Sequence, residues 1–269
     1  MLFGVFMGTI VVASRYSWPV AWIGLELNLM AFIPSAMPNI YRKKGAIIYF
    51  VSQSCGSLLI LVGGLLWDYS WIPAAVVLGG ILIKIGLIPI HFWLPRVVVT
   101  LSRFYLFLLL SWQKLGPLVM IMSTSVSLVM VGAVNAVGGA LVIGGVTLLP
   151  LFLFYRGIVQ IGWVLYTSGS FTFYYLFVYF IVLGSVVLYR NNASIQFGWA
   201  LLNAGGLPPF SGFVIKMKAI LNIQTFYIIL LVGSRGVALA SYIRVLLNTS
   251  LKTGVPPSFL YFTLFVGIV

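Results

Sequence analysis

The stretch SWIPAAVVLGGILIKIGLIPIHFWLP, residues 70–95, decides the fold of this chain. Its first part is an apolar run whose only charged side chain is Lys84, and Gly86 and Pro89 follow closely. A run of about 20 apolar residues is long enough to cross a bilayer as a helix. Proline weakens such a helix because it lacks an amide donor and clashes with the preceding turn. The stretch therefore predicts a membrane-spanning helix that is interrupted beside a buried lysine.

The composition of the whole chain also indicates a membrane protein. Of its 269 residues, 62% are hydrophobic and only 6% are charged, and the mean hydropathy is +1.17. A soluble protein would carry roughly 25% charged residues. We expect an all-α integral membrane fold with about eleven transmembrane helices, because each span needs about 20 residues. The whole chain, residues 1–269, is predicted to form a single multi-pass membrane domain, with phospholipids around it.

The apolar runs of the sequence give the predicted spans. They cover roughly residues 1–14, 18–38, 45–66, 70–95, 102–122, 125–148, 151–168, 171–190, 193–221, 224–247 and 256–269. The ninth run is too long for one straight helix, and it contains Gly205, Gly206, Pro208 and Pro209. We expect a second interrupted helix here, for the same reason as in the first.

The basic residues sort unequally between the two sides of eleven alternating spans. One side receives Arg42, Lys43, Lys44, Arg96, Arg103, Arg156, Arg190, Arg244 and Lys252, and the other receives Arg15 and Lys218. The positive-inside rule then places the N-terminus in the matrix or cytoplasm and the C-terminus on the opposite side. The net charge of +13 does not indicate a nucleic-acid partner, because the basic residues form no basic, aromatic-rich face.

The sequence offers little for metal or disulfide chemistry. Cys55 is the single cysteine and His91 the single histidine, so we expect no internal disulfide and no metal site built on either residue type. The N-terminal run from Leu2 to Ala13 has no basic residues before it. This pattern argues against a cleaved signal or transit peptide and favours synthesis beside the membrane, in a bacterium or an organelle.

Four ionisable side chains lie inside apolar runs: Glu26, Lys84, Lys114 and Lys216. An ionisable group in hydrocarbon is costly, so it marks an ion or proton path by default. A lysine in a low-dielectric site loses its preference for the charged form, and a nearby carboxylate restores it. A Glu26–Lys84 pair that forms and breaks would therefore load or release a proton at a neighbouring lysine. We assign proton translocation to these four residues as a hypothesis.

Each of these residues also has a structural alternative. Glu26 and Lys114 could form a static pair that fixes helix packing, and the other two lysines could reach the interface by snorkelling. His91 has either an interfacial role or a role in proton uptake. Arg235 also lies in an apolar run, but arginine stays protonated at any working pH, so we expect it to pair with or tune a neighbour. Asp68 is predicted to be a surface loop acid.

Several motifs resemble subunit 2 of the NADH:ubiquinone oxidoreductase (respiratory complex I) family, and they occur in the order found in that family over roughly residues 20 to 250. Any one of them is a weak signal, whereas together and in register they are specific. They are GLELN at 24–28, the run 49–57, KIGL at 84–87, PIHFWLP at 89–95, SWQKLGP at 111–117, GGLPPFSG at 205–212 with Phe213 and Lys216 after it, and YIR at 242–244.

The resemblance implies an antiporter-like subunit of the membrane arm that lacks the first three helices of the 14-helix form. It favours the mitochondrial inner membrane, with the N-terminus in the matrix and the C-terminus in the intermembrane space. It implies other membrane-arm subunits as partners, and no cofactor bound by this chain, since NADH and ubiquinone are used elsewhere in the complex. Glu26, Lys84 and Lys114 match a hydrophilic axis through the membrane centre, with Lys216 toward the exit.

The chain departs from the family pattern at three positions. Gln160 stands in the helix of residues 156–163 where the family usually has a histidine, and glutamine takes up no proton near neutral pH. Ile215 replaces a proline, and Arg96 replaces an acid. Two other functions remain open: a sodium/proton antiporter subunit, which shares the lysine and glutamate pattern, and a purely structural helix bundle within a membrane complex.

Overall fold

The computed structural model describes residues 2–14, 17–36, 43–67, 71–124, 128–167, 170–189, 195–207, 210–221 and 225–253. These residues belong to two compact units, Met1–Ser127 and Leu128–Val269. The single membrane domain over residues 1–269 stays a prediction. The predictions for Arg15, Arg42, Asp68, Arg190, Pro208, Pro209 and the segment 256–269 lie outside the described residues, as do those for the side chains of Lys43 and Lys252.

The first unit is helical throughout its described residues. Within it, α1 packs against α2, α2 against α3, and α3 against α4. A short 3-10 turn, Trp112–Lys114, separates the last two helices of this unit. The helices are α1 (Leu2–Ser14), α2 (Trp18–Ala36), α3 (Lys43–Leu65), α4 (Trp71–Ile85), α5 (Leu94–Thr100), α6 (Arg103–Leu110) and α7 (Leu115–Ser123).

The second unit is also helical in the part that the structure describes. Here α8 packs against α9 and α13, and α10 packs against α11 and α12. Helix α11 ends where GGLPPFSG begins, and α12 carries Lys216. The helices are α8 (Val129–Ile143), α9 (Leu149–Val164), α10 (Ser170–Tyr189), α11 (Ile195–Gly205), α12 (Ser211–Leu221) and α13 (Thr225–Thr253).

Five helical stretches among the described residues are long and apolar enough to cross a membrane, judged by length and composition: Trp18–Ala36, Lys44–Leu65, Arg103–Met122, Phe171–Tyr189 and Tyr227–Leu247. Four shorter apolar helices, α1, α4, α8 and α9, accompany them. Large apolar side chains are exposed on these helices, including Trp71 at 78%, Leu188 at 77% and Phe177 at 64%. Such a surface suits lipid or other chains better than water. The count of eleven spans stays a prediction.

Facing glycines allow helix pairs within each unit to approach closely. A Cβ atom on Gly80 of α4 would lie 2.6 Å from the carbonyl oxygen of Gly56 in α3. In the second unit, a Cβ atom on Gly162 of α9 would lie 2.8 Å from the carbonyl oxygen of Gly132 in α8. Small residues at such positions are typical of helix packing in membranes, because backbone-to-backbone contact replaces the hydrophobic driving force there.

Candidate functional site

Lys84 lies in the last turn of α4 and is 6% exposed. The helix ends here because Gly86 adopts a φ of +72°, a left-handed conformation that favours glycine. The Gly86 amide donates to the carbonyl of Leu82 at 2.9 Å, and the Leu87 amide donates to the same carbonyl at 3.2 Å. This pattern is typical of a glycine-terminated helix end. A buried lysine and a terminated helix thus coincide, and the interrupted membrane span at this point stays a prediction.

Two residues of α3, the polar Gln53 and the small Gly56, contact Lys84. The Gln53 side-chain amide donates a 3.0 Å hydrogen bond to the Lys84 backbone carbonyl. A Cβ atom on Gly56 would lie 2.9 Å from Cγ of Lys84, so the lysine stem packs directly against the α3 backbone. The position of this lysine is therefore fixed by tertiary contacts with α3.

Glu26 lies on α2 and is half-buried. The hydroxyl of Ser57, a fully buried residue of α3, donates a hydrogen bond to Oε1 of Glu26. The Glu26 carboxylate also acts electrostatically on the Lys84 ammonium. The structure therefore brings Glu26 and Lys84 into one electrostatic neighbourhood, with polar groups of α3 contacting both residues.

Lys114 lies in an irregular part of the backbone within the predicted segment 102–122. Helix α6 ends at Leu110, and Ser111 has φ −113° and ψ −80°. The Ser111 hydroxyl donates a 2.6 Å hydrogen bond to the Phe107 carbonyl, and the 3-10 turn then carries Lys114. The predicted segment 102–122 corresponds to the helical stretch Arg103–Met122, which consists of α6, the 3-10 turn and α7.

The Lys114 side chain is 4% exposed, and its Nζ has no hydrogen-bond partner among the described residues. Its neighbour Gln113 donates a 2.8 Å hydrogen bond to Oδ1 of the buried Asn28 on α2. The described residues therefore show no hydrogen-bonded pair between Glu26 and Lys114. A buried, unpaired ammonium costs several kcal/mol unless it is neutralised or hydrated.

Lys216, on α12 in the second unit, is 6% exposed. Its Nζ lies 3.4 Å from the carbonyl oxygen of Gly205, at the C-terminal end of α11. Helix α11 ends because Gly206 adopts a φ of +76°. The side chain of Asn203 accepts a 3.1 Å hydrogen bond from the Gly212 amide, which links the end of α11 to the start of α12. Whether α11 and α12 form one interrupted span stays a prediction.

Arg235 extends from α13 to the same helix end and is half-buried. Its guanidinium donates to the carbonyl of Gly206 and lies 5.1 Å from the centroid of the Phe213 ring. The carbonyls at a helix C-terminus lack intrahelical partners and carry partial negative charge. Lys216 and Arg235 thus bind adjacent carbonyls at the end of α11.

Arg156 lies in the interior of the second unit. The charge count assigns it to the positive side, but the structure buries it to 2% exposure in the middle of α9. Its guanidinium donates to the Tyr242 hydroxyl and lies 5.8 Å from the Tyr179 ring centroid. Lys44, Arg96, Arg103 and Arg244, assigned to the same side, are exposed. Every residue of α9 from Phe152 to Val164 is buried, so Arg156 is enclosed in the interior of this unit.

Gln160 lies one turn after Arg156 and accepts a 2.6 Å hydrogen bond from the Tyr175 hydroxyl.

His91 lies between α4 and α5, is half-buried and stacks on Phe92 with ring centroids 4.8 Å apart. Lys218 is exposed, with its Nζ 5.9 Å from the Tyr174 ring. The described residues contain no group of three or more His, Cys, Asp or Glu side chains that could hold a metal ion.

The fold and the buried charges define a multi-pass α-helical membrane protein with ionisable side chains in its interior. Comparison with curated proteins then identifies its relatives. The chain is 30% identical over 262 residues to NADH-ubiquinone oxidoreductase chain 2 of Lumbricus terrestris, covering 84% of this chain and 78% of the relative. It is 30% identical over 293 residues to the same protein of Cardioderma cor, covering 92% and 84%. The chain belongs to the NADH-ubiquinone oxidoreductase chain 2 family.

Solved structures share its fold. A chain of respiratory complex I from Thermus thermophilus aligns with a TM-score of 0.77 at 20% identity, covering 89% of this chain and 67% of that one. A chain of the Mrp complex from Dietzia sp. aligns with a TM-score of 0.78 at 17% identity, covering 90% and 58%. A search of protein-family models found no match.

Proposed function

We propose that this chain is a membrane-arm subunit of NADH:ubiquinone oxidoreductase that conducts protons through Glu26, Lys84, Lys114 and Lys216. We infer the assembly from the family, because the relatives of this chain are named as chain 2 of that oxidoreductase. In this proposal the chain itself binds no NADH or ubiquinone. The redox energy arrives from elsewhere in the complex, and other membrane-arm subunits are its partners.

The observation that carries the proposal is that α3 contacts both Glu26 and Lys84. Ser57 donates a hydrogen bond to the Glu26 carboxylate, and Gln53 donates one to the Lys84 backbone carbonyl, so in our proposal the carboxylate and the ammonium interact. A single ion pair about 6 Å apart is worth roughly 3 kcal/mol at an effective dielectric near 20. Forming or breaking this interaction therefore changes the relative free energies of proton states inside the membrane.

The lysines supply the relay sites. Lys84, Lys114 and Lys216 are each 6% exposed or less. Lys84 lies in the last turn of α4, Lys114 lies in the 3-10 turn, and Lys216 lies within α12 with its ammonium at the end of α11. Broken backbone at membrane depth is tolerated where it is buried in protein or lines a hydrated cavity. Transporters place such breaks beside ion sites. In our proposal Lys84 takes part in coupling or proton uptake, Lys114 is the central relay, and Lys216 lies toward the exit.

The proposed setting is the mitochondrial inner membrane. The N-terminus would lie in the matrix and the C-terminus in the intermembrane space, with eleven spans between them. Two of these spans would be interrupted, near Gly86 and Pro89 and near Gly205 to Pro209. Labelling the two termini separately in sealed membrane vesicles would test this orientation.

Lysine replacement in the assembled complex tests the proposal. We expect Lys114→Met and Lys216→Met each to slow NADH-driven proton pumping at least about tenfold, or about 1.4 kcal/mol. NADH oxidation by a soluble electron acceptor should continue, because the redox centres lie in other subunits. Lys218→Met is the matched control, since this exposed lysine lies on the same helix as Lys216. Normal pumping by both test variants in fully assembled complexes would refute the proposal and favour a structural bundle.

The fold similarity to a chain of the Mrp complex keeps a sodium/proton antiporter subunit as the second candidate. The two functions differ in their dependence on sodium. Replacing Na⁺ by choline in sealed vesicles should leave NADH-driven proton pumping unchanged if the first proposal holds. A loss of proton movement without Na⁺ would favour the antiporter.

A further inference from the structure

Three cationic side chains converge in the interior of the second unit. Arg156 and Lys216 are buried, Arg235 is half-buried, and both guanidinium groups act electrostatically on the Lys216 ammonium. Two small cavities meet at this cluster, and Arg156, Gln160 and Lys216 line both of them. Arg235 lines the second cavity together with Tyr242. The three residues come from α9, α12 and α13, so the fold itself assembles the cluster.

The sequence of this unit contains no side chain that could offset these charges. The two acids of the whole chain, Glu26 and Asp68, precede it, and residues 128–269 include no Asp or Glu. Arginine does not lose its proton at any working pH, so two of the three charges are permanent. Burying like charges together without a counter-charge costs several kcal/mol. The cluster therefore needs a negative charge from outside this unit.

The groups around the cavities offer donors and few acceptors. Nε and Nη1 of Arg156 are buried and have no hydrogen-bond partner among the described residues. The carbonyl oxygen of the Gln160 side chain already accepts from Tyr175, and that of Asn203 accepts from the Gly212 amide. The remaining side-chain amide groups of these two residues are donors. A donor-rich, acceptor-poor cavity beside unpaired guanidinium nitrogens favours an anion over a neutral ligand.

The size of the cavities limits the anion. Their volumes are about 20 Å³ and about 10 Å³, enough for one particle of roughly the size of a water molecule. We propose that Arg156 and Lys216 bind a single monovalent inorganic anion of halide size, with Arg235 flanking the site. The site shares Lys216 with the proton conduction proposed above, but its argument rests on the charge balance and the cavities of the second unit, and bromide binding is measured separately from proton pumping.

Bromide is the probe, because its anomalous scattering identifies it in crystals of the intact complex. With bromide as the only halide, we expect an anomalous peak beside the Arg156 guanidinium and the Lys216 ammonium. Arg156→Gln should abolish this peak. Arg244→Gln should retain it, because Arg244 is exposed and donates to the Gly144 carbonyl away from the cavities.

A second variant keeps the test decisive if the complex with Arg156→Gln does not assemble. Gln160→Glu places a carboxylate at the cavity, so it should supply the missing negative charge and displace bromide. Absence of a peak in the unmodified complex would overturn the proposal, as would a carboxylate of a neighbouring subunit occupying the cavity. A peak that survives both Arg156→Gln and Gln160→Glu would show an adventitious ion only and would likewise overturn it.

Discussion

The side-chain amide of Gln53 donates a 3.0 Å hydrogen bond to the backbone carbonyl of Lys84, joining α3 to the last turn of α4. The final carbonyls of a helix lack partners within it, so a side chain from a neighbouring helix is one of the few ways to satisfy them in an apolar interior. This bond links the backbone at Lys84 to the helix that also bears Ser57. The lysine is thus held in place by its backbone, and its ammonium remains available for electrostatic coupling to Glu26.

Replacement of Gly86 should destabilise this helix end. Gly86→Ala places a Cβ atom at a φ of +72°, which costs roughly 1–2 kcal/mol, and the new atom would also overlap the Leu94 side chain. We expect a lower temperature of thermal unfolding for the assembled complex and less complex on native gels. Gly79→Ala is the matched control, because a Cβ atom there meets nothing within 4 Å. Equal unfolding temperatures for the two variants would contradict the assigned role of Gly86.

Removal of the Ser57 hydroxyl should weaken the support of Glu26. A hydrogen bond to a charged group contributes about 1.5–3 kcal/mol, so Ser57→Ala should disfavour the ionised carboxylate and slow NADH-driven proton pumping by at least about tenfold. Ser54→Ala is the control on the same helix, since only the Ser54 backbone carbonyl bonds to Ser57. Pumping rates would be measured in sealed vesicles with equal amounts of assembled complex. Unchanged pumping by Ser57→Ala would show that this bond is dispensable.

Arg235 should be required for the structure at the end of α11. Arg235→Leu removes the donor to the Gly206 carbonyl and the stacking on Phe213, and a desolvated cation–π contact alone is worth about 2 kcal/mol. We expect a lower unfolding temperature and slower turnover. Arg235→Lys should restore these only in part, because an ammonium lacks the planar fork of the guanidinium. Arg244→Leu, on the exposed side of α13, should behave like the unmodified chain. Full function of Arg235→Leu would contradict the prediction that Arg235 is required at the end of α11.

Much of the helix placement follows directly from apolar run length. The predicted segments 1–14 and 18–38 correspond to Leu2–Ser14 and Trp18–Ala36. The ends of α4 and α11 each have a local signal in the sequence, since Pro89 follows Gly86 by three residues and Pro208 follows Gly206 by two, and the structure gives both glycines a positive φ. These features depend on residues close together in sequence, which is why a single chain reveals them.

The interruption at Ser111 shows where local patterns fail. No glycine precedes Lys114 within α6, and the segment 102–122 reads as one apolar helix. The backbone departs from the helix at Ser111, whose hydroxyl bonds to the Phe107 carbonyl, and packing against α2 orients Gln113 toward Asn28. Serine has no backbone conformational preference strong enough to predict such a turn from the sequence. The buried Arg156 was missed for a related reason, because counting charges by loop assumes that every arginine near a run end reaches water.

The sequence by itself determined that this is a helical membrane protein and that Glu26, Lys84, Lys114 and Lys216 lie within apolar runs. These properties depend on composition and local spacing. Long apolar runs have a favourable free energy of transfer into a bilayer, and they form helices there. Only the tertiary structure decided which charged side chains are near enough to interact electrostatically: Glu26 with Lys84, and Lys216 with Arg156 and Arg235. These interactions depend on which helices pack against each other. Contacts between residues far apart in the chain produce no periodic pattern in a single sequence.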